Sequence, residues 1–229
     1  MGMPVTVEVR SGGGDLDALF AWLRRVDALF SPYRPDSEVA RLDRGELALA
    51  EADPLVHEVL ADCAALRTAT GGWFDARATG RLDPSGYVKG WAVDRAAGLL
   101  AGRWCINAGG DLRVGGGPWR IGIQHPRRRD RVATVLELAD AAVATSGAYE
   151  RGAHVLDPHT RRPAAGALSV TVVGPRLGTA DAYATAAFAM GEAGPAWTAG
   201  LAPYEAMTIL PRRRVLATRG FPRRAAAAA

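Results

Sequence analysis

Lysine is almost missing from this chain. Lys89 is the only one, although 28 residues are Lys or Arg; Asn107 is likewise the only asparagine and Gln124 the only glutamine. Arginine stands wherever any cation will serve. A lysine that persists is then a candidate for a place that needs a compact, strongly hydrated ammonium. Cysteine is scarce too. Cys63 and Cys105 lie far apart in apolar company, which excludes a disulfide framework and a Cys-based metal site and leaves two buried free thiols. No run approaches the roughly 18 uninterrupted apolar residues of a membrane span. No charged, then apolar, then small-residue leader precedes the first strand-like run, Pro4 to Arg10. The expectation is a cytoplasmic protein with no membrane span.

What is present is basic. Net charge is +4 and the isoelectric point about 9.5. Arginine is concentrated at Arg127–Arg129, Arg161–Arg162, Arg212–Arg214 and Arg223–Arg224. Runs this short read as solvated loops. Without aromatic interleaving or a helix-turn-helix pattern they argue for no nucleic-acid partner. The 229 residues and 48% apolar content suit a globular domain over residues 1–222, followed by a disordered Arg/Ala tail over 223–229.

Taken in order, the chain opens with a strand, and SGGG at Ser11–Gly14 then reads as a loop. Asp15 to Phe30 has the helical period. Ser37 is placed to cap a short helix. Asp53-Pro54 is a cap followed by proline at the first helical position, and Gly71-Gly72 ends the helix it starts. A further helix is expected near Tyr87 to Leu100, with Lys89 and Gly90 at its start. From Arg103 onward short apolar runs alternate with Gly, Pro and Asp, including AHVLDP at 153–158. That is hairpin punctuation. Thr179 to Gly191 reads as one more helix, capped by Thr179, and two strands follow. Helices first and strands after argue for an α+β fold rather than a doubly wound parallel sheet.

Chemistry gathers at a few places. Asp181 and Thr185 are four apart in the Thr179 helix and share a face. A carboxylate and a hydroxyl on adjacent turns suit one hard cation such as Mg²⁺. An acid in a first helical turn is equally explained by the helix dipole. Lys89, near a helix start behind a Pro-Ser-Gly turn, suits phosphate oxygens; an ordinary surface charge is the other reading. Asn107 and Asp111 bracket Gly109-Gly110, where backbone amides can approach a ligand. Thr145-Ser146-Gly147 ends an apolar strand with two hydroxyls. In His154-Val155-Leu156-Asp157-Pro158-His159 the spacing diverges, which argues against zinc. It leaves His154 as a candidate base or phosphate ligand.

Seven segments occur in order along nearly the whole chain: MGMPVTVEV, FSPYRPDSEVARL, GGWFDARATG, LDPSGYVKGWAVD, INAGGDLRVGG, VATSGAYERGAHVLDPHTRRP and SVTVVGPRLGTADAYATAAFAMG. In this order they closely resemble the ApbE family, the FAD:protein FMN transferases. The resemblance implies an α+β, T-fold-like structure with a mixed, largely antiparallel sheet and packed helices. It implies FAD as substrate, Mg²⁺ as cofactor and transfer of FMN to a threonine (or serine) hydroxyl of an acceptor flavoprotein with an FMN-binding domain, releasing AMP. Carried over residue by residue, metal ligands fall on the Gly86 carbonyl, Asp181 and Thr185. Flavin and nucleotide contacts fall on Met1, Tyr33, Trp73, Phe74, Asp75, Lys89 and Leu156, and around Asn107, Gly109, Gly110, Asp111, Thr145, Ser146 and Gly147. The candidate catalytic groups are His154 and Asp181. The chain departs from the family pattern at Ala76-Arg77, where a hydroxyl is usual, and at Pro84-Ser85. Two other readings stay open: a metal-dependent FAD pyrophosphatase and a non-catalytic FAD carrier.

Overall fold

The computed structural model describes residues 2–147, 155–212 and 214–222. Among them are nine strands: β1 (Val5–Gly14), β2 (Leu100–Ala108), β3 (Asp111–Gly115), β4 (Trp119–His125), β5 (Arg128–Leu138), β6 (Ala142–Gly147), β7 (Ser169–Gly174), β8 (Glu205–Ile209) and β9 (Val215–Ala217). Six α-helices accompany them: α1 (Leu16–Phe30), α2 (Glu38–Asp43), α3 (Pro54–Ala69), α4 (Ser85–Ala97), α5 (Leu177–Ala189) and α6 (Gly194–Thr198). Seven strands form one sheet in the order β1-β2-β3-β6-β7-β8-β9, and β4 pairs with β5 as a separate hairpin. The recorded pairings are all antiparallel. The architecture is α+β, as the order of elements predicts.

Strand alternation divides the apolar residues between two faces. Ile106, Ala144, Val170, Val172 and Ala206 join the helices in one buried cluster. Their strand neighbours Cys105, Val143, Val173 and Met207 join the β4–β5 hairpin in the other, with Trp119, Ile121, Leu136 and Leu138. The two cysteines are buried free thiols, one in each cluster. Burial pushes the Cys63 thiol up to about 12 and that of Cys105 to about 11, so neither is a nucleophile near neutral pH.

Local signals set most helix starts. Asp15, Ser37 and Asp53 each accept a hydrogen bond from the first turn they cap. α5 is different. Its Ala180, Ala182, Ala184, Ala186 and Ala187 are buried, so it is enclosed rather than amphipathic. Small residues also bring it against α4. A Cβ on Gly90 would stand 2.5 Å from the Gly178 nitrogen, a distance that only glycine permits.

Four boundaries differ from the sequence reading. The SGGG stretch is strand, not loop: β1 continues to Gly14, opposite Leu100. Gly12 at φ +84° and a cross-strand backbone too close for any Cβ explain why glycine stands there. α4 starts at Ser85 and ends at Ala97, so Lys89 lies one turn inside the helix rather than at its start. α5 starts at Leu177 with Arg176 as the cap residue. Thr179 is therefore not the cap, and Asp181 sits beyond the first turn, where the dipole argument weakens. Finally, the AHVLDP segment forms no strand among its described residues; Leu156 makes an isolated bridge to Pro163. Among the described residues no helix is long and apolar enough to cross a membrane.

Candidate active site

A cavity of about 640 Å³ opens where α4, α5 and the ends of β3 and β6 meet the start of the chain. α4 presents Gly86 and Lys89 to it, and α5 presents Asp181 and Thr185. The turn after α3 adds Trp73, Phe74 and Asp75. Gly109 and Gly110 come from the β2–β3 turn, Thr145 and Ser146 from β6, and Leu156 from the segment after it. Twelve of the predicted positions thus line one space.

The floor is charged. The Lys89 ammonium forms an ion pair with Asp111 and reaches Asp181 Oδ2 at 3.4 Å. Both carboxylate side chains are nearly buried, at 4% and 6% exposed. Asp111 is held from behind, because Thr145 N–H donates to its Oδ1 at 2.8 Å. Beside Asp181, the hydroxyls of Ser146 and Thr185 lie 3.3 Å apart. Gly86 backs onto the same spot: a Cβ there would be 3.8 Å from Thr185 Oγ1. The donors gathered here are oxygens, one carboxylate among them, which is the chemistry Mg²⁺ accepts. Among the described residues no group of three or more His, Cys, Asp or Glu is placed to hold a metal ion.

Several predicted residues play other parts. Asn107 turns inward on its own turn, accepting from Gly110 N–H at 2.9 Å. Gly109 N–H goes to the Pro4 carbonyl at 3.2 Å. The amides expected to face a ligand are thus spent on Asn107 and on the Pro4 carbonyl. What the glycines give the cavity is room, with positive φ at both. Asp111 lies behind Lys89 and is not a wall of the cavity. Gly147 ends β6 beside Ser146 without lining it. Tyr33 is 74% exposed and stands outside, near Gly2. Asp157 accepts from His159 N–H at 2.8 Å and from Thr160, so its carboxylate serves its own loop. The His159 ring packs edge-on against Trp73 at 4.6 Å. Met1 and His154 lie outside the described residues.

Other walls escape sequence reasoning. Gly2, Met3 and Pro4 form one side. Asp83 lines the cavity while its Oδ1 accepts from Ser85 N–H at 3.0 Å, holding the start of α4. Gln124 and Arg129 reach in from the β4–β5 hairpin. Gln124 carries a signal, being the only glutamine, whereas Arg129 is hidden in a run that reads as solvated.

The ApbE family model matches residues 1–80 and 76–208. The chain belongs to the ApbE family. A FAD:protein FMN transferase of Vibrio cholerae serotype O1 is 37% identical over 130 residues, which is 48% of this chain and 39% of that protein. Another, of Rhodobacter capsulatus, is 36% identical over 128 residues, 49% of this chain and 24% of its own length. The match to the Treponema pallidum protein of the same name is 32% over 174 residues, 64% of this chain and 48% of that one. The aligned stretches therefore span less than half of these relatives. Solved ApbE structures share the fold. The flavin transferase of Vibrio cholerae superposes with a TM-score of 0.82 at 23% identity, covering 96% of this chain and 95% of that one. The Thermotoga maritima ApbE protein gives 0.82 at 24%, covering 95% and 94%.

Proposed function

We propose that this ApbE-family chain transfers the FMN part of FAD to a threonine or serine hydroxyl of an acceptor flavoprotein, with Mg²⁺ as cofactor and AMP as leaving group. The observation that carries this reading is the convergence on one cavity of Asp181, Thr185, Gly86 and the chain's single lysine. Relatives named FAD:protein FMN transferase support it.

Phosphoryl-type transfer asks a protein for positioning and charge control more than covalent chemistry. Gly86, Asp181 and Thr185 would hold Mg²⁺, which when bound supplies charge neutralisation at the diphosphate. Lys89 keeps two buried carboxylates, Asp111 and Asp181, together in one place. Without that ammonium they would repel. The acceptor oxygen attacks phosphorus on the FMN side, the bond from that phosphorus to the AMP oxygen breaks, and the hydroxyl proton passes to a base. His154 is the proposed base, on the strength of the family resemblance and imidazole's titration near neutral pH. Trp73 and Phe74 supply an apolar wall suited to a flavin ring.

Incubation with FAD and Mg²⁺, with and without an acceptor flavoprotein whose FMN-binding domain carries the threonine or serine, tests the proposal. Protein-bound FMN with release of AMP is the expected result. AMP with free FMN under all conditions would make the chain a hydrolase. FAD bound and returned intact would make it a carrier.

A further inference from the structure

The β4–β5 hairpin packs under the sheet, yet two of its residues reach the cavity, Gln124 and Arg129. The ladder is broken at that point. Consecutive residues Gln124 and His125 pair with Val132 and Arg128, so Arg129, Asp130 and Arg131 bulge from β5. Bulges forfeit ladder bonds and recur beside active sites, where they re-aim a side chain. This one is held in place. The Gln124 carboxamide donates to the Arg129 carbonyl at 3.1 Å. The chain's only glutamine therefore fixes the backbone of an arginine that borders the same cavity.

Charge balance says what that arginine can serve. The Lys89 ammonium is shared between Asp111 and Asp181 before any substrate enters. Asp75 and Asp83 add further negative charge to the walls. A dinucleotide diphosphate brings two more. Among the described lining residues, Arg129 is the cation besides Lys89. Its guanidinium fork matches phosphate oxygens two at a time. Arg127, Arg128 and Arg131 around it raise the positive potential at the mouth and favour capture of an anion.

Resting on the functional reading above, we propose that Arg129 is a phosphate-binding residue of this site, aimed by the hairpin bulge at the diphosphate of the incoming dinucleotide. The test compares three probes on the full chain: FAD, ADP and riboflavin. Flavin fluorescence reports the first and third directly, and ADP is read by competition. Arg129→Gln should weaken FAD and ADP about tenfold, the scale of one charge-assisted hydrogen bond, and leave riboflavin unchanged. Arg129→Lys should fall between, because it keeps charge but not the fork. FAD binding by the parent should drop more steeply with salt than binding by Arg129→Gln. Arg120→Gln, on the exposed face of β4 and off the cavity wall, should bind FAD and ADP like the parent.

Equal loss of FAD and riboflavin would overturn the proposal, since it would mean that the hairpin had merely shifted. Unchanged FAD and ADP affinity with slower transfer to an acceptor would also overturn it, giving the arginine to the acceptor protein instead. A parent chain that binds no FAD would sink the functional reading itself, a result distinct from failure of the arginine alone.

Discussion

Two ionic clusters sit on either side of the crossing between α4 and α5, and they use the same residue types differently. On one side Asp94 accepts from Leu177 N–H at 2.9 Å and from Gly178 N–H at 3.0 Å, with Arg113 at 3.4 Å. It supplies from α4 the cap that Arg176 does not give α5. On the other side Asp181 and Asp111 share an ammonium and Asp181 faces a cavity. The Asp94 side also has a hollow, of about 430 Å³, but Asp62 there accepts from the Tyr87 hydroxyl at 2.7 Å and Glu58 from Trp91 Nε1 at 3.0 Å. The lesson is where the partners come from. A carboxylate bonded by backbone amides holds the fold together. One that meets a side-chain ammonium beside open space can exchange that partner for a ligand.

The comparison breaks most sharply at Asp181. Asp181→Asn keeps the shape and removes the charge. Transfer should fall by about 10²–10³-fold, the scale of losing one preorganised electrostatic group. Stability should move by no more than about 1 kcal/mol, because the start of α5 is held by Asp94 rather than by this carboxylate. Rates at limiting Mg²⁺ and a thermal melt are the two measurements. A variant transferring at the parent rate would return Asp181 to the structural class.

Lys89 tests the same side from the cation. An exposed lysine could be deleted with little change in stability. Here its loss leaves two nearly buried carboxylates facing each other, at a cost of about 3 kcal/mol. Lys89→Ala should therefore melt roughly 6–12 °C lower, and saturating Mg²⁺ should restore part of that difference. A melting temperature that stays put would mean that the ion pair contributes nothing to the folded state.

Asp94 should behave in the opposite way. Asp94→Ala leaves the first amides of α5 uncapped and should cost about 2 kcal/mol, with FAD affinity per folded molecule retained. Burial raises the Asp94 carboxyl above its ordinary 3.8, against the pull of the two amides and of Arg113 and Arg176. The folded state then binds the proton more tightly than the unfolded chain. This group's contribution to stability is present below 3.8 and declines as pH rises from there through the folded value. Asp94→Asn should flatten that decline in urea titrations across the acidic range. An unchanged slope would assign it to other groups.

The sequence makes the cavity cluster readable and leaves the Asp94 cluster dark, for physical reasons. Asp181, Thr185 and Lys89 announce themselves by spacing and by scarcity. Caps at Ser37 and Asp53 are legible because their partners are two or three residues away. Asp94 caps a helix 83 residues later, which no local pattern can show. The start of α5 is hard to read for the same reason, since its cap comes from another element. Glycine punctuation is equally ambiguous. Gly12, Gly13 and Gly14 signal a loop locally, and only their pairing with Gly102, Ala101 and Leu100 makes them strand. Arg129 is hidden because a bulge, rather than its neighbours in sequence, decides where it is aimed.

The smallest effect sharpens the comparison at the cavity's outer edge. Family resemblance places Tyr33 at the flavin, yet the structure leaves it 74% exposed and off the cavity wall. Trp73 is its counterpart on the wall, half-buried and packed on His159. Since Tyr33 contributes little to the core, Tyr33→Ala should change stability by less than about 0.5 kcal/mol. A ring that closes over bound flavin would add about 1 kcal/mol, so the variant should bind FAD roughly fivefold more weakly. Riboflavin should weaken equally, because the contact is to the ring and not to phosphate. That pattern is the reverse of the one expected for Arg129→Gln, so the two variants together separate ring contacts from phosphate contacts. Unchanged affinity for both ligands would show that Tyr33 stays in solvent when the site is filled.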